Sequence, residues 1–151
     1  MLALLLANSA SAQFDLDDFK LAPELSGLSS GPPEPELQVT ATVRVAPGAN
    51  IGMLEITATM NDQWHLYALT QPDGGPTKAT IQFDESDDYK LLGSLAPKQA
   101  PHVHFVDVFD MDVEEFSGTV TWTVPIEVTG NAANLIVGGF VTGQECADGG
   151  A

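Results

Sequence analysis

Basic side chains are what this chain most lacks. Five Lys and Arg stand against 21 Asp and Glu over 151 residues, a formal net charge of -16. Affinity for a phosphate backbone comes largely from cations that displace counterions, so this balance excludes nucleic acid as a partner. It also favours partners with neutral or basic faces, and it keeps an exported domain soluble. No uninterrupted apolar run approaches 18 residues, so no segment reads as a membrane-spanning helix. Gly-rich phosphate loops, a G-x-S-x-G elbow and H-E-x-x-H are all missing, which leaves nucleotide chemistry and hydrolysis without a motif. Cysteine occurs once, as Cys146 in the closing stretch GQECADGGA.

Hydrophobic residues make up 44% of the chain, enough for the core of one domain. Residues 1–12 read as the rear of a secretory signal: an apolar run from Leu2 to Ala7, then small residues, with Ala10 and Ala12 as an A-x-A cleavage site ahead of Gln13. The positively charged leader segment such a signal carries does not precede Leu2, so either the natural start lies upstream of Met1 or the run is an ordinary hydrophobic N-terminal strand. Export would place Cys146 in a compartment where thiols meet disulfides. Residues 13–35 carry acidic residues, then Pro and Gly punctuation without sustained periodicity, and read as an irregular arm.

Residues 36–151 form the domain proper. In LQVTATVRV, Leu37, Val39, Ala41, Val43 and Val45 share one face and polar residues the other, the period of a half-buried strand. Similar runs cover 52–60, 63–69, 78–84, 102–109, 118–128 and 133–142, separated by turn signals such as APGAN, QPDGGP and TGNAAN. Pro125 lacks a donor and favours an edge or bulge. Short strands at this spacing, without a convincing helix, predict an all-β, immunoglobulin-like antiparallel β-sandwich; a closed barrel is the alternative. Trp64 and Trp122 are expected in or near the core.

Cys146 follows the strand VGGFVT and precedes Asp148, Gly149 and Gly150, residues suited to a tight turn. A second cysteine just past Ala151 would return across that turn at a separation a disulfide accepts. So small a ring stabilises a fold little and suits exchange better than stapling. The stretch offers the thiol Glu145 and Asp148 and no Lys, Arg or His, so no sequence neighbour favours a thiolate. A pair of unactivated cysteines acts as a reductant or passive carrier and relies on docking for speed.

Those residues resemble the N-terminal periplasmic domain of the thiol:disulfide interchange reductase family DsbD. That domain is an immunoglobulin-like sandwich with a C-x5-C pair in a stretch like Q-x-C-x-D-x-x-x-C. Gln144, Cys146 and Asp148 match, and the second cysteine would fall at position 152, so the resemblance implies a chain cut inside the motif. NDQWHLYAL is similar to the family's aromatic strand and sets His65 and Tyr67 near the cysteine pair; VDVFDMDVEEF falls at its acidic cap loop, with Phe109 as the capping residue and Asp107 as its acidic neighbour. TVTWTVPIEV matches the strand with a Leu-Pro-Val type step. Val108 stands where a second acidic residue is common, His65 replaces a tyrosine, and the second cysteine is absent. The resemblance implies protein-disulfide reductase activity without a cofactor, with Cys146 as the resolving thiol. Electrons would come from a thioredoxin-like domain of the same protein through a membrane domain, and pass to periplasmic disulfide oxidoreductases or cytochrome c maturation proteins. A chain with Cys146 alone would not complete a dithiol cycle. The alternative is a secreted immunoglobulin-like binding or adhesion module with a non-catalytic cysteine.

His102 and His104 sit two apart in PHVHFV, share a face on a strand, and with His65 would make a three-histidine zinc site; solvent-facing histidines on an outer sheet face are the simpler account, and no metal is expected. No histidine and methionine follow Cys146 to make a blue-copper site. The acidic clusters at 84–88 and 110–115 lack EF-hand spacing and read as solvated loops.

Overall fold

The computed structural model describes residues 2–7, for backbone only, and 37–147. The A-x-A site, the arm at 13–35 and Asp148 lie outside the described residues. Twelve strands are present among those described, and the only helical element is a 3-10 turn at Ala132–Asn134.

The architecture is the antiparallel sandwich that the period-two patterning predicts. One layer contains β2 (Leu37–Val45), β3 (Ile51–Met60), β10 (Thr119–Val128) and β6 (Tyr89–Leu91) in that order, with the short β7 (Ala96–Pro97) also paired to β10. β10 pairs with β3 over nine positions, from Thr119 opposite Thr59 to Glu127 opposite Ile51. This register puts Val120, Trp122, Val124, Ile126 and Val128 on the same inward face as Leu54, Ile56 and Ala58, all buried. Pro125 lies within β10, but its carbonyl accepts from Leu92 N at 2.8 Å on the flank where β7 gives way to β6. A residue's N and O point to the same side of a strand, so its donorless nitrogen meets an interruption in the neighbouring edge rather than a ladder.

The second layer is assembled from two sheets. β11 (Ile136–Thr142) pairs with β5 (Thr80–Phe83) on one side and with β1 (Leu2–Ala7) on the other, so the N-terminal apolar run forms a strand in this structure. β12 (Glu145–Ala147), β4 (Trp64–Tyr67), β9 (Met111–Ser117) and β8 (His102–Val106) follow in that order in the other sheet. β12 prolongs β11 after only Gly143 and Gln144. Gln144 N donates to Thr77 O at 3.3 Å, Thr77 N donates to Gln144 Oε1 at 3.0 Å, and Ala79 N donates to Tyr67 O at 3.2 Å. These bonds stitch the two sheets into one layer.

Leu66, Phe116, Val137 and Val141 face inward from this layer. Phe116 meets Trp122 edge to face, ring centroids 6.0 Å apart at 86°, which joins the layers through the largest fully buried side chain. Trp64 packs against the same core, partly buried.

Two stretches depart from the sequence reading. The run 102–109 ends as a strand at Val106 and turns through 107–110, with Asp110 at φ 52. Residues 110–115, expected as a solvated acidic loop, fall mostly in β9, which is central in its sheet. Two adjacent glutamates hide its alternation, and Val113 and Phe116, on opposite faces, are both buried.

Candidate functional site

Directly paired residues of antiparallel strands share a face, so register alone shows what surrounds Cys146. Cys146 pairs with His65, and His65 pairs with Ser117. Two residues further along the strands, Tyr67 pairs with Glu115 and Glu115 with His102; then Val113 pairs with His104. All of these lie on the face opposite Leu66 and Phe116, the outer surface of the layer.

Cys146 is half-buried on β12, the terminal strand of its sheet, so one edge of the thiol-bearing strand has no partner strand among the described residues. Tyr67 is only 6% exposed. Burial pushes its phenol up from the ordinary 10.0 to about 12, and its hydrogen bond with the Cys146 thiol, the charge of that group and the charge of Glu115 act in the same direction. The phenol therefore stays protonated at neutral pH and remains a donor beside the sulfur.

His65 supplies what the local sequence does not, an imidazole opposite the thiol. Cross-strand neighbours hold their Cβ atoms about 4.5–5.5 Å apart. His65 Nδ1 and Ser117 Oγ share a 3.0 Å hydrogen bond, and the same nitrogen lies 3.8 Å from Glu115 Oε1. Thiol, imidazole and carboxylate thus form a continuous array of polar groups.

Gln144 positions rather than touches, since both of its described bonds go to Thr77. Gly143 eases the approach: a Cβ there would stand 3.0 Å from Ala79 Cα and 3.2 Å from Leu66 Cδ1, so a side chain would require its neighbours to give by a few tenths of an ångström.

Phe109 and Asp107 are placed elsewhere. They sit in the turn between β8 and β9, where Phe109 N donates to Val106 O at 3.1 Å and Asp110 N to Asp107 O at 3.2 Å. Six residues of β9 separate the Ser117 end, beside Cys146, from the Met111 end, beside the turn, which is about 20 Å at strand rise. The structure brings together Cys146, His65 and Tyr67 and does not bring Phe109 or Asp107 to them.

Sequence reasoning missed Glu115, Ser117 and Gln71. Gln71 is buried, and its Oε1 accepts from Glu114 N at 2.6 Å just past the end of β4, where β9 outruns its partner. That bond satisfies a backbone donor and holds Glu115 in register. A lone amide in the loop TQPDGG carries no sequence signal of this role. Glu115 and Ser117 had one available signal, their shared parity with Val113.

Among the described residues no helix is long and apolar enough to cross a membrane. No protein-family model matches the chain, and no curated protein and no solved structure is significantly similar to it.

Proposed function

We propose that this is an exported thiol-disulfide exchange domain of the DsbD N-terminal type, in which Cys146 is a redox thiol. The observation that carries the reading is the surrounding of Cys146: a protonated phenol at hydrogen-bonding distance, an imidazole on the opposing strand, and a place on a terminal strand.

Exchange begins when a thiolate attacks one sulfur of a disulfide, forming a mixed disulfide and expelling the other sulfur as a thiolate. His65 is placed to take the thiol proton, and the Tyr67 hydroxyl to donate a hydrogen bond to the sulfur as its charge changes. In this reading the cysteine that the C-x5-C pattern puts at position 152 forms the mixed disulfide with the partner, and Cys146, as thiolate, attacks that cysteine's sulfur, closing the intramolecular disulfide and releasing the partner's sulfur as a thiolate. Reducing equivalents would come from a thioredoxin-like domain of the same protein, and a periplasmic disulfide oxidoreductase or cytochrome c maturation protein would receive them. The strongly acidic surface favours acceptors with neutral or basic faces.

The test is the second-order rate at which the reduced chain reacts with oxidised glutathione, compared across wild type, Tyr67→Phe and His65→Ala and with a short peptide spanning 143–149. A wild-type rate that departs from the peptide's and moves at least about threefold in each variant is expected, as reactivity follows thiolate stabilisation and access. A rate equal to the peptide's and indifferent to both substitutions would make Cys146 a bystander and leave a secreted binding module as the better account.

A further inference from the structure

Three imidazoles converge on one carboxylate oxygen on the outer face of the four-stranded sheet. Nδ1 of His65, of His102 and of His104 each lies 3.8 Å from Glu115 Oε1. That separation exceeds a hydrogen bond, so direct proton sharing does not account for the arrangement. His104 Nδ1 is buried and has no hydrogen-bond partner among the described residues, a costly state for a ring nitrogen. The His102 and His104 rings stack with centroids 5.0 Å apart.

One nitrogen from each of these two histidines and one oxygen of Glu115 lie within 4.8 Å of one another. Ligand atoms around a tetrahedral zinc, each about 2.0–2.1 Å from the ion, stand about 3.4 Å apart. Small rotations close the difference, and the His102 ring, exposed to solvent on the side away from His104, has room to make them. We propose that His102, His104 and Glu115 bind one divalent transition-metal ion of the zinc class, with a fourth position open to solvent.

Donor chemistry selects this class. Two imidazoles and a carboxylate are a zinc set, whereas calcium and magnesium require oxygen ligands. The strands supply the geometry: His102 and His104, two residues apart on β8, share a face, and Glu115 pairs with His102 from β9. His65, tied to Ser117, flanks the carboxylate from the other side and is not needed in the set. Bound metal would clamp the outermost strand of the sheet onto its neighbour. The proposal does not depend on the thiol-exchange reading.

Zinc ions titrated into the full reduced chain against a chromogenic chelator test it, together with X-ray absorption of the zinc-loaded wild type. One ion per chain is expected, with a first shell of nitrogen and oxygen showing imidazole scattering. His102→Gln combined with His104→Gln should weaken binding about 100-fold or more, because two of three ligands are lost. Cys146→Ser should leave affinity within about twofold, the thiol lying outside the set. Absence of stoichiometric binding, unchanged affinity in the double histidine variant, or a sulfur scatterer in the wild-type spectrum would each overturn the assignment. The absorption measurement uses unaltered protein, so a misfolded variant does not obscure the result.

Discussion

At the scale of single residues, Tyr67 reports on the thiol. Its folded pKa of about 12 exceeds the 10.0 of an exposed phenol. A group whose pKa is raised by folding contributes stability that is intact below its unfolded value and lost as pH rises toward its folded one. Alkaline denaturation should therefore show stability falling between about pH 10 and pH 12, and Tyr67→Phe should remove part of that dependence. Tyr89, whose phenol burial also pushes up, accounts for the part that remains. Phenolate absorbance followed against pH checks this. Phe109 supplies the contrasting case. A cap role predicts that Phe109→Ala speeds oxidation of Cys146 by small oxidants, whereas a separation of about 20 Å along β9 predicts an unchanged rate. We expect no change, and a peroxide oxidation time course distinguishes the two.

At the scale of elements, the joint between β11 and β12 decides where the thiol sits. Gly143 lets the strand pass over Ala79 and Leu66, and the paired bonds of Gln144 with Thr77 set its direction. Gly143→Val should cost about 1–3 kcal/mol by overpacking this crossing and should raise Cys146 reactivity as β12 lifts from β4. Chemical denaturation and thiol titration on the same sample measure both. β9 is the element that sequence patterning misplaced. Its acidic pair Glu114 and Glu115 resembles a solvated loop, yet Glu115 faces three histidines while the backbone of Glu114 is held by Gln71 and Ala68. A strand whose polar side chains are satisfied by other strands does not show hydrophobic alternation, so the period-two signal fails there. β2, β3 and β10 face water on one side and the core on the other, and they were legible for that reason.

At the scale of the whole molecule, charge and core work against each other. The chain carries a formal charge of -16, and folding holds the charges within the described domain closer together than the unfolded chain does. The melting temperature should therefore rise with sodium chloride as screening shortens the reach of these charges to about 10 Å at 0.1 M. Thermal melts across a salt series would show it, and a flat response would mean that the carboxylates are already balanced locally. The opposing term is the shared core, where Trp122, Ile56, Leu54 and Val124 from one layer meet Leu66, Phe116 and Val137 from the other.

The all-β class, most strand positions and the inward faces of β2, β3 and β10 were determined by the sequence alone, because alternation and turn residues act locally; Cys146 stood out as the single thiol, and Tyr67 and His65 entered as its neighbours only through the family resemblance. Which residues surround the thiol was decided only by tertiary structure. Strand register sets His65, 81 positions earlier in the chain, directly against Cys146, removes Phe109 to the far end of the sheet, and gathers His102, His104 and His65 around Glu115. Register depends on the packing of whole faces against one another, and no short stretch of residues encodes it.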